Sequence, residues 1–301
     1  MKHVFLLNSF SLKTKTNQIK QIIEEVCTKR ELDYIIEQNS EEISTEDILN
    51  KYKDTKNIII AIGGDGTINR VLNGIANTPN ILGYIPYGTG NDFYRVNREL
   101  LTEEINKIDL VRINEKYFIN TACFGIDADI ANSDEIVHSK IIPKKQRYNI
   151  SLIYHFFKYK AKQMTVDVHS DVTKGEFTTV IVCNGRYYGG GYKVAPHSSL
   201  TDGLVDVYLV RKTSKANMAK VIMSMKSGAH ERAKIVRKLQ TDKLTITSPV
   251  PICSNIDGEQ LTANEFDIEL IPKGIEVYYN QPLIDEILEC DKKLSLRRKK
   301  K

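Results

Sequence analysis

The stretch Ile58-Ile59-Ile60-Ala61-Ile62-Gly63-Gly64-Asp65-Gly66-Thr67-Ile68-Asn69 decides the fold. Its unbroken apolar run, rich in β-branched isoleucine, reads as a strand covered on both faces, the kind that parallel sheets bury. Glycines end the run, and Ile68, Val71, Leu72 and Ile75 then follow at the i, i+3, i+4, i+7 spacing of a helix. The same alternation holds on either side. Val4–Leu7, Leu32–Ile36 and Ile81–Ile85 read as strands, and Asn17–Lys29 and Glu46–Tyr52 as helices. The prediction is an α/β N-terminal domain with a mostly parallel sheet and helices on its faces, over residues 1–119.

From about Asn120 the texture changes to short strand-like runs: Met164–His169, Phe177–Cys183, Leu204–Val210, Leu244–Thr247, Phe266–Ile271 and Ile275–Tyr279. Pro272-Lys273-Gly274 reads as a turn joining the last two. Helical spacing returns at Gln146–Lys160, Ser214–Met225 and Leu283–Leu288. Residues 120–280 therefore form a β-rich, sandwich-like C-terminal domain, and 281–301 pack back onto the first domain or form a tail.

Glycine at the end of a buried strand lets backbone N–H groups and a helix N-terminus approach phosphate oxygens. The loop Gly63–Asn69 has that form, which favours a nucleotide. Asp65 inside it would repel a polyphosphate unless it engages a cation, so it is a candidate Mg²⁺-linked residue. A second loop of the same character, Pro86-Tyr87-Gly88-Thr89-Gly90-Asn91-Asp92-Phe93, follows the strand Ile81–Ile85. Both loops stand at the carboxyl ends of strands expected to run parallel, where open α/β sheets bind ligands. Asn91-Asp92 reads equally as an ordinary helix N-cap. No GxxxxGK[ST] loop, GxGxxG helix opening or protein-kinase motif set is present.

Of 43 basic and 38 acidic residues in the chain, seven basic and no acidic ones lie in 292–301, KKLSLRRKKK. The remainder is slightly acidic, which argues against nucleic acid as a partner and points the basic end toward an anionic membrane surface. A solvated, disordered end is the alternative. Cys27, Cys123, Cys183, Cys253 and Cys290 are scattered, without metal-ligand spacing, and read as reduced residues of a cytoplasmic protein. No apolar run reaches the length of a membrane-spanning helix.

GGDGTIN (Gly63–Asn69), PYGTGNDF (Pro86–Phe93), the segment Gly189–Asp206 containing SLTDGLVD, and IDGEQL (Ile256–Leu261) occur in this order. In that combination the chain resembles the diacylglycerol kinase catalytic-domain family, which includes bacterial soluble lipid kinases and is related to sphingosine kinases. The resemblance implies an NAD-kinase-like nucleotide-binding fold. It implies ATP contacts at Asn8, Gly63, Gly64, Asp65, Gly66, Thr67, Ile68, Asn69 and Thr89, and essential acids at Asp65 and Asp92. Glu259 is the implied general base, and Mg²⁺ is implied at Asp202 with the carbonyls of Ser199 and Leu204. Read without the resemblance, Thr201-Asp202-Gly203 is a turn before a strand.

Asp257, two residues before Glu259, is expected to share its face on an extended segment and crowd it, or to form a plain turn with Gly258. Tyr187, Tyr188 and Tyr192 are read either as lining an acceptor cleft or as packing. The chain departs from the family at Asn8-Ser9-Phe10-Ser11, where Asn-Pro is common, and at Glu37-Gln38-Asn39-Ser40, which lacks the family's threonine.

The implied activity is transfer of the γ-phosphate of ATP to diacylglycerol, giving phosphatidic acid, by an enzyme peripheral to the inner face of the cell membrane. A homodimer is also suggested by the resemblance. Phosphatidylglycerol or a sphingoid base as acceptor, an NAD kinase-like enzyme, and a silent nucleotide-binding regulator are the other readings.

Overall fold

The computed structural model describes residues 1–88, 90–125 and 160–299, with side chains through Leu296. Thr89 and almost all of the helix expected at Gln146–Lys160 lie outside the described residues. The chain divides into two compact units, residues 1–108 with 273–301, and residues 109–272. The divisions fall inside strands rather than at 119/120 and 280/281, because one strand leaves the first unit and another re-enters it without a break.

The first unit begins with β1 (His3–Leu7), a short α1 (Ser9–Leu12), α2 (Thr16–Lys29), β2 (Tyr34–Gln38) and α3 (Thr45–Asn50). It continues with β3 (Ile58–Gly63), α4 (Asp65–Ile75), β4 (Ile81–Pro86) and α5 (Asp92–Leu100). β2 pairs parallel with β1, β1 with β3, and β3 with β4. Phe5, Leu7, Ile58, Ile60 and Ile62 alternate along the strands onto one face, where Ile19, Ile22, Ile23 and Val26 of α2 cover them.

The second unit contains β5 (Ile105–Ile113), whose first residues belong to the first unit, β6 (Lys116–Phe118) and β7 (Thr121–Gly125). Next come β8 (Lys162–Val168), β9 (Asp171–Cys183), the hairpin β10 (Tyr187–Tyr188) and β11 (Tyr192–Lys193), and β12 (Val205–Arg211). α6 (Lys215–Met225), β13 (Val236–Thr241), β14 (Lys243–Ile256) and β15 (Glu259–Tyr278) complete it. β7 and β8 each pair antiparallel with both β9 and β14, closing a circuit of strands around one core that holds Phe124, Phe177, Val207, Ile246 and Phe266. Along β12, Val207 and Leu209 enter that core while Tyr208 and Val210 meet Met218, Val221 and Met225 of α6 on the opposite face.

One sequence expectation is corrected. Pro272-Lys273-Gly274 is no hairpin turn: β15 runs through it, with Lys273 in the left-handed region at φ 53°, and Val277 and Tyr278 then pair parallel with β4 of the first unit. Strand pairing past the turn signal outweighs its local preference. Of the two readings left open for 281–301, packing back holds over the described residues, where α7 (Gln281–Lys299) carries the basic run as helix through Lys299. Leu283 and Ile287 bury against α2, Gln18 donates to Asp291 at 2.6 Å, and Lys29 and Arg30 both reach Glu286 at 2.7 Å. Docking of the apolar stripe supplies what the charged sequence lacks for helix formation. Among the described residues no helix is long and apolar enough to cross a membrane.

Candidate active site

In the first unit the parallel strands end at a shared edge, and the loops there touch. Gly64 precedes α4 in extended conformation with no side-chain cap, and the N–H groups of Thr67 and Ile68 turn back to its carbonyl at 2.9 and 3.1 Å. Tyr87 N–H donates to the Gly63 carbonyl at 2.8 Å, carrying the β3–β4 register into the second glycine loop. A Cβ on Gly88 would stand 2.5 Å from Gly64 Cα, and one on Gly64 would stand 3.1 Å from Gly88 Cα. The two loops therefore meet backbone against backbone, which only glycine permits. Gly88→Ala is expected to separate them and weaken nucleotide binding at least about tenfold, because backbone cannot yield as a flexible side chain can; calorimetric titration with ATP checks this.

The Asp65 carboxylate binds these loops further. It accepts from Asp92 N–H and Phe93 N–H, each at 3.3 Å, at the start of α5. An anion there satisfies orphan helix donors and complements the helix dipole. Burial raises the Asp65 carboxyl above its ordinary range, and the backbone donors of Phe93, Asp92 and Asn91 oppose that rise. Asn91 is not the side-chain N-cap of α5. Its backbone is left-handed at φ 51°, and its side chain turns back to Gly88, donating to the carbonyl at 2.8 Å and accepting the N–H at 3.0 Å. Asp92 is 5% exposed, with Arg95 Nε 3.8 Å from its Oδ1.

Asn8, just after β1, donates to Thr67 Oγ1 at 2.9 Å and joins a third loop to α4. Asn39, after β2, was not singled out in the sequence, yet it is 3% exposed and ties the neighbouring loops together. It accepts from Ser9 N–H at 2.8 Å and donates to Thr45 Oγ1 at 3.2 Å. The remaining motif residues, Gly66, Ile68 and Asn69, lie in the first turns of α4.

The other expected residues belong to the second unit. Asp257-Gly258 forms a two-residue turn between β14 and β15, with φ 47° and 95° and Ile256 paired to Glu259. Asp-Gly with both φ values positive is the hairpin turn that matches strand twist. Asp257 does not crowd Glu259 as a second carboxylate on one extended face. Its side chain is 7% exposed and accepts three backbone N–H groups, Ile119 at 2.8 Å, Asn120 at 3.1 Å and Thr121 at 2.7 Å. Glu259, half-buried, opens β15 directly after this pinned turn. The Asp-Gly pair signals the turn but not the anchor, because the three donors lie more than a hundred residues away in sequence.

Asp202 is exposed in the turn before β12, where its Oδ1 accepts Leu204 N–H at 3.2 Å. Gly203 N–H donates to Asp109 Oδ2 at 2.8 Å, and Asp109 N–H to the Leu200 carbonyl at 2.7 Å. Partial burial, and then the negative charges of Asp206 and Asp109, raise the Asp202 carboxyl above its usual range. Asp206 is held by Ser198 Oγ at 2.5 Å and Lys238 at 3.0 Å. An exposed carboxylate in an acidic neighbourhood is chemically suited to Mg²⁺, which takes few protein oxygens and keeps several waters. Among the described residues no three His, Cys, Asp or Glu side chains form a metal cluster, so the protein share of such a site would be sparse.

Residues 2–114 match the diacylglycerol kinase catalytic domain, and residues 120–279 match the YegS C-terminal NAD kinase beta sandwich-like domain. Those two domains in succession define the class as a lipid kinase of two-domain architecture. The chain belongs to the diacylglycerol kinase catalytic-domain family. It is 27% identical over 233 residues to a probable lipid kinase YegS-like from Shewanella frigidimarina, covering 72% of this chain and 75% of that protein. It is also 27% identical over 257 residues to a diacylglycerol kinase of Staphylococcus epidermidis, covering 78% of each. A crystal structure of a diacylglycerol kinase from Bacillus anthracis superposes with a TM-score of 0.67 at 19% identity, over 94% of this chain and 98% of that one. At that identity the superposition speaks for the fold.

Proposed function

We propose that the chain transfers the γ-phosphate of ATP to the hydroxyl of diacylglycerol, giving phosphatidic acid and ADP. The observation that carries this reading is the backbone contact of Gly64 with Gly88, which joins two phosphate-type loops at the carboxyl ends of adjacent parallel strands. The uncapped N-terminus of α4 offers N–H donors and a positive dipole end to the triphosphate. Asn8, Gly63–Asn69 and Thr89 form the ATP contacts. Asp65 and Asp92 shape the loops and present acids to the nucleotide's cation. Phosphoryl transfer asks for positioning and charge neutralisation rather than a covalent enzyme intermediate.

Glu259 takes the proton of the acceptor hydroxyl as that oxygen attacks the γ-phosphorus and the β–γ bridging oxygen departs with ADP. Mg²⁺, when bound, supplies the charge neutralisation that lets the departing oxygen leave. Asp202 would hold a structural Mg²⁺ through its carboxylate, with the carbonyls of Ser199 and Leu204 as the further protein oxygens. With Mg²⁺ added, the thermal midpoint of the native protein is expected to rise and that of Asp202→Asn to stay fixed; equal rises would remove Asp202 from the site.

Radiolabelled ATP offered with diacylglycerol micelles, phosphatidylglycerol, a sphingoid base and NAD tests the acceptor. Labelled phosphatidic acid as the main product is expected. Labelled NADP, or no labelled lipid, would overturn the reading. The basic end of α7 supplies a membrane contact in the same proposal. Changing the seven Lys and Arg residues of 292–301 to Gln, which spares Leu294 on the core, should weaken binding to anionic vesicles by about 1 kcal/mol per charge that nears the surface. Unchanged vesicle affinity would remove that contact.

A further inference from the structure

In the second unit, α6 and the β10–β11 hairpin form one surface of unusual chemistry. From Phe177 to Thr201 and from Val207 to His230 the chain has no acidic residue. α6 buries Met218, Val221 and Met225, and Tyr188 and Tyr192 of the hairpin pack against the same cluster. The opposite side of α6 exposes Lys215, Lys220 and Met223, and Lys226 follows at its C-terminus. Met223 is 74% exposed, more than any other large apolar side chain among the described residues. Lys220 and Lys226 lie three positions to either side of it, each about 60° around the helix axis, so the methionine is flanked by positive charge.

The hairpin continues the pattern. Lys226 Nζ stands 5.7 Å from the Tyr192 ring centroid, and Lys193 Nζ stands 5.6 Å from that of Tyr187. Gly189, Gly190 and Gly191, all at positive φ, make the hairpin tip. Glu231, the first acid after α6, is already engaged by the Tyr208 hydroxyl at 2.6 Å and by Lys238 at 3.4 Å. It therefore does little to offset the lysines of the helix.

We propose that this face, the outer side of α6 with the β10–β11 hairpin, seats on an anionic phospholipid surface with Met223 entering the headgroup boundary. Lysines attract the anionic headgroups, and the stems of Lys215, Lys220 and Lys226 are long enough to place their charges in that layer while the apolar side chain inserts. Tyrosine rings at the edge of the patch suit the same interface, being apolar in body and polar at the tip. A phosphate backbone would reward the lysines but give an exposed methionine nothing, which favours a bilayer over nucleic acid. The inference takes its choice of a lipid partner from the lipid-kinase reading, but its test requires neither ATP nor turnover.

The chain contains no tryptophan, so Met223→Trp places a single reporter on this face. With vesicles of phosphatidylcholine and phosphatidylglycerol, its emission is expected to shift to the blue and to be quenched by brominated acyl chains. Vesicles of phosphatidylcholine alone should leave it unchanged. Adding Lys220→Glu and Lys226→Glu should weaken the shift's vesicle dependence at least about tenfold, since each reversal replaces attraction with repulsion. Circular dichroism matching the native protein keeps a folding defect from imitating that loss. Sedimentation onto anionic vesicles with unshifted emission would overturn the proposal, placing contact elsewhere on the chain. A shift that follows protein concentration without vesicles would overturn it in favour of a second copy, and one produced by duplex DNA alone in favour of nucleic acid. Failure of the kinase assay with a vesicle-dependent shift would sink the diacylglycerol reading and leave this one standing.

Discussion

Glu259→Gln should keep ATP affinity within about twofold of native while lowering lipid phosphorylation by roughly 10² to 10⁴, the usual worth of a positioned general base. Glutamine keeps the length and shape of the side chain and removes only its capacity to take a proton. The backbone beneath Glu259 is fixed by the Asp257-Gly258 turn and by pairing to Ile256, so the substitution has little structural reach. A loss in kcat with unchanged KM for ATP is the expected split, because the interaction is made with the acceptor hydroxyl as it reacts. Native turnover in Glu259→Gln would remove the residue from the mechanism. A parallel loss of ATP binding would show that it acts by holding the nucleotide.

The second large effect concerns stability. Asp257→Ala leaves the N–H groups of Ile119, Asn120 and Thr121 without their acceptor, in residues 1%, 5% and 0% exposed. Each buried donor left unsatisfied costs about 1–3 kcal/mol, so a total of about 3–9 kcal/mol is expected in denaturant unfolding. That is a large share of the roughly 5–15 kcal/mol by which domains are stable. Alanine also fits poorly at φ 47°, adding to the loss. Asp257→Asn keeps one acceptor oxygen and a residue that tolerates left-handed backbone, and should lose about half as much. A stable Asp257→Ala with altered turnover would mean instead that Asp257 acts on Glu259.

Both predictions turn on features of different legibility. Glu259 stands out only through its place in IDGEQL, and nothing in its local pattern separates a base from a strand residue. Asp257 was legible as a turn former, because Asp-Gly favours positive φ, but not as an anchor. Asp65 was read as a cation-linked acid, whereas its carboxylate also caps α5 across the two glycine loops. Asn39 enters the sequence only as part of a departure from the family pattern, and its pairing with Ser9 and Thr45, the first residues of α1 and α3, is a tertiary contact.

The unbroken apolar run of β3, the helical spacing of Ile68–Ile75, and glycines at strand ends are all properties of a few adjacent residues. They could be read before any coordinates because backbone periodicity and glycine's lack of a Cβ act locally. The buried run Ile58–Ile62 ending in GGDG thus already carried the strand, the loop and the helix that follows. That Gly64 would lie against Gly88, that β15 would pass straight through Pro272-Lys273-Gly274, and that a basic C-terminus would become a docked helix depended on the packed chain. Those outcomes come from close contact and strand pairing between distant segments, whose combined free energy outweighs local preference and leaves no mark within one window of sequence.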